Sequence, residues 1–115
     1  MTPRLQFPSL VLGSFAVATS LVAAADTAFP PEQIEFFEKN VRPVLAERCY
    51  DCHGATKHQN GLRLDSRDAV IRGSDYGKVV EPGNPSASKL IKAVTHAAGV
   101  EPMPKKGDKL TATEV

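Results

Sequence analysis

The sequence has only two cysteines and no marked excess of either charge. Its 14 basic residues are nearly matched by 13 acidic ones, and the counts become equal when Arg4, in the first 25 residues, is left aside. A chain so balanced has no strong positive field, and its charge therefore gives no indication of nucleic-acid binding. Internal repeats and low-complexity tracts are also missing.

Only one long apolar stretch is present, and it lies near the N-terminus. Residues 10–22 are interrupted only by Gly, Ser and Thr; Arg4 precedes them, and the small residues 23–25 follow, before Asp26. This order is typical of a secretory signal, and the stretch is short for a membrane span. We predict a signal peptide at residues 1–25 and export to the periplasm or cell envelope, with membrane contact only through this transient segment.

Residues 26–115 are predicted to form one small domain. Of the 115 residues in the chain, 90 follow the signal. That length suffices for one domain but is marginal for a core built from side chains alone. A large buried apolar cofactor would supply the missing core.

Both cysteines lie in one C-x-x-C-H run from Cys49 to His53, which Gly54 follows. On a helix, residues three and four apart share a face, so Cys49, Cys52 and His53 can all project toward one planar ligand. The spacing is that of covalent c-type haem attachment, in which each thiol adds to one vinyl group and the imidazole binds the iron. Export agrees with this chemistry, because c-type haem is attached outside the cytoplasm, where a thiol pair without haem would be oxidised. We predict one haem c at this run.

Three other interpretations of the cysteines have less support. A structural zinc site needs four ligands, and only His53, His58, His96 and carboxylates remain to complete one. A redox dithiol would require a βαβ context that the flanking sequence lacks. A simple disulfide would leave His53 and Gly54 unexplained.

The apolar pattern predicts an all-α fold. Pro31 suits the first position of a helix, and Ile34, Phe37, Val41 and Leu45 recur at helical spacing after it. Because Pro43 cannot donate a main-chain hydrogen bond to Lys39, we expect a kink or two abutting helices, at about 31–41 and 43–52. No segment requires a sheet.

Two further helices are predicted in the second half of the chain. Asp65 can cap a helix that runs through Arg72 and ends at Gly73. Ser86 can cap another at about 86–97, with Leu90 on its buried side. These helices are short enough to depend on tertiary or cofactor contacts.

Met103 is the only methionine after the signal, and prolines flank it on both sides. The stiff backbone makes it an odd core residue but a suitable sixth ligand, since a thioether on a pre-set loop can approach the iron opposite His53. His96 is the rival for that position. For the ring N–H of His53 we expect a backbone acceptor near Pro82 or Pro85.

Arg63 and Arg67 are candidate partners for haem propionates.

At the C-terminus, Thr111 and Glu114 have the spacing of a capping box, and only Val115 follows. We therefore expect an incomplete C-terminal helix, whose remainder would cover the face of Ile34, Phe37 and Val41 in a longer protein.

Seven segments spread over nearly all of residues 26–115 form a recognisable set. They are Phe36-Phe37, Val41-Arg42-Pro43-Val44-Leu45, the run from Cys49 to Gly54, Gly61-Leu62-Arg63-Leu64-Asp65-Ser66-Arg67, Pro82-Gly83-Asn84-Pro85, Ser88-Lys89-Leu90-Ile91 and Met103-Pro104. Together they resemble the planctomycete-type cytochrome c domain. The resemblance implies a small helical cytochrome c fold wrapped around a covalent haem, with His53 and Met103 as axial ligands. Such domains commonly begin much larger secreted proteins.

Electron transfer is the function that these observations favour, rather than an enzymatic reaction. A six-coordinate iron between His53 and Met103 exchanges electrons with little change in its ligands. Its partner would be a redox protein or downstream domains of a longer chain. The alternative is a five-coordinate haem enzyme or gas sensor, with His96 as the distal acid or base; a zinc or disulfide module is the third class.

Overall fold

The computed structural model describes residues 29–115, so the predicted signal peptide lies outside the described residues. No β-strand occurs in this range, which confirms the predicted all-α class. Every helix in the same range is too short or too polar to span a bilayer. The elements are α1 (Pro31–Phe36), a π-helical turn (Phe37–Val41), α2 (Arg42–Arg48), α3 (Tyr50–His53), a 3₁₀ turn (Gln59–Gly61), α4 (Arg67–Arg72) and α5 (Lys89–Val94).

A π-helical turn joins α1 to α2 immediately before Pro43. The amide of Arg42 donates to the carbonyl of Phe37, five residues back instead of four. Pro43 has no N–H to give to Lys39, and its ring would crowd the Lys39 carbonyl in a regular helix. A wider turn relieves that crowding, which is the usual origin of such bulges. The predicted irregularity is confirmed, and its form is a π turn within continuous helical structure.

The second predicted helix, at about 43–52, is interrupted at Cys49. Cys49 has φ −129° and ψ −37°, outside the helical range, and it separates α2 from the single turn of α3. After α3 the chain folds back on itself, because the amide of Leu64 donates to the carbonyl of His53 at 2.8 Å. The segment from Gly54 to Leu64 therefore returns directly to the end of α3.

Helix α4 is capped one residue later than predicted. Ser66, and not Asp65, is the N-cap, and its hydroxyl accepts a hydrogen bond from the amide of Ala69 at 3.4 Å. Asp65 is instead engaged by Arg63. Gly73 ends the helix as predicted, with φ 88°. An added Cβ there would lie 2.6 Å from the carbonyl oxygen of Gly77, so the position requires glycine.

Helix α5 is shorter than the predicted 86–97. It begins at Lys89, because residues 85–87 form a turn and Ser88 occupies the N-cap. The Ser86 hydroxyl donates only to the side chain of Asn84, so its predicted capping role is wrong. The Ser88 side chain, 3% exposed, accepts from the amide of Glu81 at 2.9 Å and donates to the carbonyl of Asn84 at 3.0 Å.

At its other end, α5 anchors the last part of the chain. Leu110 donates its amide to the carbonyl of Val94 at 3.0 Å, and both side chains are buried. Beyond it, Thr111 and Glu114 form the predicted capping box: the carboxylate accepts from the Thr111 amide at 2.7 Å, and the Glu114 amide donates to the Thr111 hydroxyl at 3.3 Å. The hydrogen bonds that the carboxylate accepts from the amide and the hydroxyl of Thr111 lower the pKa of Glu114.

The core of the described residues is small. Its buried apolar side chains are Leu64, Ala69, Val94 and Leu110. Beside it lies an apolar groove of about 570 Å³, between the face of α1 to α2 and residues 64–71. The apolar residues that line it are Phe29, Ile34, Phe37, Val41, Leu45, Leu64, Val70, Ile71 and Leu90.

Candidate functional site

The two cysteines stand at the start and in the middle of one helical turn. Cys49 donates its amide to the carbonyl of Leu45 at 2.9 Å, and its own carbonyl accepts from the amide of His53 at 2.8 Å. Both thiols are free and partly buried. Burial raises the pKa of the Cys49 thiol, although the nearby charge of Arg48 partly offsets the effect. Cys49 is therefore a neutral thiol at ordinary pH.

His53 is buried, with 8% of its surface exposed, and its ring is held by the main chain. The Nδ1 atom lies 3.2 Å from the carbonyl oxygen of Leu62. A carbonyl can only accept, so Nδ1 carries the proton, and the lone pair of the neutral ring is on Nε2. This is the arrangement that second-shell acceptors impose on a metal-binding histidine.

The acceptor for His53 is thus Leu62, and the predicted acceptor near Pro82 or Pro85 is wrong. Leu62 is nine residues from His53 in sequence, and the fold-back after α3 brings it there. Every residue has a main-chain carbonyl, so the residue type at position 62 could not identify Leu62 as the acceptor. The only available signal was the short, turn-rich stretch that returns the chain to α3.

Gly54 is required by packing against the turn that it ends. An added Cβ would lie 2.6 Å from the carbonyl oxygen of Tyr50, closer than any real contact. Its backbone is extended, with φ −111°, so the reason for glycine is space and not a left-handed conformation. Glycine at this position lets the chain leave α3 directly after His53.

Met103 is partly buried and lies on the loop that follows α5. Its amide donates to the carbonyl of Ala93 at 3.0 Å, and its carbonyl oxygen lies 3.1 Å from Nε2 of His96. Both main-chain polar groups of Met103 are therefore bound to the C-terminal end of α5. The peptide bond to Pro104 is cis.

Arg48 links the turn that carries the two cysteines to the loop that follows α5 and carries Met103. Its guanidinium donates to the carbonyl of Asp108 at 2.8 Å and lies 4.0 Å from the carboxylate of Glu114. Since Arg48 directly precedes Cys49, the contact ties the two predicted ligand-bearing segments together. Its role was not predicted from the sequence, because the partner is a main-chain group 60 residues away.

The remaining candidate side chains have other partners. His96 is exposed and contacts the Met103 carbonyl, while His58 is exposed and pairs with His53 only through the main chain. Arg63 makes two hydrogen bonds to Asp65, at 2.9 and 2.8 Å. The guanidinium of Arg67 lies 5.5 Å from the ring centre of Phe29.

The apolar groove reaches this site at α3. Tyr50, between the two cysteines, belongs to its lining. Within residues 29–115, the side chains that line the groove do not include Cys49, Cys52, His53 or Met103. In that same range no three His, Cys, Asp or Glu side chains are grouped as metal ligands.

An all-helical fold with a C-x-x-C-H run, free thiols and a histidine with its Nε2 lone pair available is typical of c-type cytochromes. Residues 49–107, just over half of the chain, match the family of planctomycete cytochrome C. The chain belongs to this family, as its resemblance predicted. No curated protein and no solved structure matches it. Membership of a cytochrome c family indicates haem-based electron transfer, with haem as the cofactor.

Proposed function

We propose that this chain is an electron-transfer domain that holds one haem c through thioether bonds to Cys49 and Cys52, with His53 and Met103 as the axial iron ligands. The observation that carries the proposal is the buried ring of His53, whose Nδ1 donates to Leu62. That hydrogen bond leaves Nε2 as a ligand atom beside two free thiols. When bound, the haem supplies a one-electron couple between ferric and ferrous iron.

The residues of the proposed haem site have distinct parts in this function. The two thiols would hold the haem covalently at the start of α3, and His53 would bind its iron through Nε2, because Leu62 holds the ring at Nδ1. Gly54 keeps the backbone after His53 free of a side chain that would collide with Tyr50. The thioether of Met103 favours ferrous iron, so it raises the potential relative to a second imidazole.

The main chain also favours Met103 over His96 as the sixth ligand. Met103 is fixed at both its amide and its carbonyl, so little conformational entropy is left to lose on ligation. His96 already uses Nε2 in the contact with Met103 and is exposed. The same contact gives no support to a five-coordinate haem enzyme with His96 as its distal acid or base.

We propose in addition that the domain works outside the cytoplasm, in the periplasm or cell envelope. A C-x-x-C-H run, of the kind to which c-type haem is attached outside the cytoplasm, and an N-terminal segment with the order of a secretory signal support this location. Its electrons would pass to a redox partner protein or to further domains of a longer chain. The balanced charge gives no reason to expect a nucleic-acid partner.

Covalent attachment is the first property to test. The chain is expressed in the periplasm with a haem-attachment system, denatured, and separated on a gel stained for haem. We expect the stain to remain with the polypeptide in the parent, to weaken in Cys52→Ala and to vanish when both cysteines are replaced. His53→Ala should keep covalent haem but lose the normal iron ligation. Haem that leaves the denatured parent would contradict the proposal.

A further inference from the structure

Helix α5 ends in a left-handed cap in which His96 occupies the position that glycine usually takes. The amide of Ala97 donates to the carbonyl of Lys92 at 2.9 Å, and the amide of His96 donates to that of Ala93 at 3.1 Å. This pair of hydrogen bonds is the Schellman motif. His96 has φ 55°, which a residue with a Cβ adopts at a cost in free energy. A non-glycine residue at such a position suggests a task for its side chain.

Among the described residues, the side chain of His96 makes its one hydrogen bond to Met103, the proposed distal ligand. Nε2 of His96 lies 3.1 Å from the carbonyl oxygen of Met103, which can only accept, so Nε2 carries the proton. The other main-chain group of Met103, its amide, is bound to Ala93 in the same helix end. An ion pair between Lys105 and Glu101 also spans the Met103 segment, and Arg48 binds the carbonyl of Asp108 farther along the loop.

We propose that His96 is a positioning residue for Met103: its ring N–H holds the Met103 carbonyl against the end of α5 and so slows the departure of the thioether from the iron. The inference rests on the proposed function, because it requires Met103 to be an iron ligand. His96 itself does not bind the iron. Without the His96 contact, the Met103 carbonyl has no hydrogen-bond donor among the described residues, and only its amide stays bound to the helix end, at Ala93.

Three variants at position 96 separate the ring from the backbone conformation. His96→Gly relieves the left-handed strain and removes the donor. His96→Asn tolerates the left-handed conformation but has a side chain too short to span the same distance. His96→Gln carries an amide donor on a longer side chain. His58→Ala is the matched control, since it removes an exposed imidazole that makes no side-chain hydrogen bond in the described structure.

The measurement is the rate at which imidazole, in large excess, binds the ferric holoprotein, because Met103 must first leave the iron. We expect His96→Gly and His96→Asn to react roughly three- to tenfold faster than the parent, the change that corresponds to the loss of one ordinary hydrogen bond. His96→Gln should return toward the parental rate, and His58→Ala should equal it. Thermal unfolding of each holoprotein is recorded alongside, and His96→Gly should be as stable as the parent.

Each contrary result has a separate meaning. If the parent shows the absorption band of iron-to-sulfur ligation but His96→Gly and His96→Asn react at its rate, His96 does not position Met103, while the proposed function stands. If the rate increase follows lost thermal stability in every variant, the role of His96 is merely structural and the inference is wrong. If the parent lacks the band, Met103 is no ligand, and the proposed ligation fails together with the inference.

Discussion

His53 owes its orientation to a main-chain carbonyl and not to another side chain. Leu62 accepts the ring proton, and the amide of Leu64 in turn binds the carbonyl of His53, so two hydrogen bonds fix the residue from one returning segment. A main-chain acceptor persists through any side-chain substitution at Leu62. Only a change that moves the segment between Gly54 and Leu64 should therefore disturb the ring.

Asp65 illustrates how a charge can stabilise this segment in a pH-dependent way. Two hydrogen bonds from Arg63 lower the pKa of its carboxyl below the ordinary value of 3.8. Because the folded-state pKa is the lower one, the carboxylate stabilises the protein above the unfolded-state pKa, and this stability is lost as the pH falls through the folded-state value.

We expect Asp65→Asn to lower the free energy of unfolding of the holoprotein at neutral pH and to show a flatter loss of stability in acid. The difference from the parent should shrink as the pH falls through the folded-state pKa of Asp65, which lies below 3.8, because the parental carboxyl then takes up its proton. Urea unfolding over a series of pH values measures this. Asp68→Asn, at an exposed aspartate outside the ion pair, is the control; a constant difference between Asp65→Asn and the parent at all pH values would refute the assignment.

At the scale of the helices, the sequence pattern located the main helical segments, but the caps of α4 and α5 lie later than predicted. The position of Pro43 correctly predicted the irregularity between α1 and α2. The caps were displaced because several Ser and Asp residues stand near each helix start and the choice among them depends on tertiary partners. Asp65 pairs with Arg63, and Ser66 is the N-cap of α4. Ser88 is the N-cap of α5, and its hydroxyl accepts a hydrogen bond from the amide of Glu81.

The contribution of the Ser88 hydroxyl, at the N-cap of α5, can be tested by comparing substitutions of two serines. Ser88→Ala leaves the amide of Glu81 without its acceptor in a partly buried position, so we expect it to reduce the free energy of unfolding by about 1–2 kcal/mol. Ser86→Ala removes an exposed hydroxyl and should cost less than about 0.5 kcal/mol. Chemical denaturation of both holoproteins provides the comparison. Equal losses, or a greater loss in Ser86→Ala, would contradict the stabilising role assigned to the Ser88 hydroxyl.

For the whole molecule, the main feature is how little apolar surface the described chain buries by itself. Four apolar side chains are buried between residues 29 and 115, whereas Ile34 remains 49% exposed and Phe36 62% exposed. A small domain of this kind depends on a further source of stability, and a bound haem is the one that the site provides. The fold and its cofactor should therefore be strongly coupled.

Removal of the haem should accordingly cost most of the cooperative stability. We expect the chain with both Cys49 and Cys52 replaced by Ser to retain about 3 kcal/mol or less, and to unfold over a broad temperature range. The unsubstituted chain, produced without a haem-attachment system, controls for the substitutions themselves. Circular dichroism at increasing temperature measures both against the holoprotein. Cooperative unfolding of the apoprotein within a few degrees of the holoprotein would contradict this coupling.

The candidate site was predictable where it depends on residue types at fixed spacing, and not where it depends on the folded main chain. The cysteines, His53 and Met103 are conspicuous in the sequence because few residue types bind haem and each is nearly alone in the chain. Their supports are of another kind. Leu62 acts through its carbonyl, and Arg48 reaches a carbonyl 60 residues away, so neither contact follows from composition or periodicity.

The absorption spectrum of the ferric holoprotein tests the proposed His53 and Met103 ligation most directly. We predict the weak charge-transfer band at the red edge of the visible range that reports iron bound to sulfur, and its loss in both Met103→Ala and Met103→His. Met103→His should stay six-coordinate with a lower reduction potential, because a second imidazole favours ferric iron relative to a thioether. If the parent lacks the band and His96→Ala instead changes its spectrum, two histidines bind the iron and the account of Met103 is wrong.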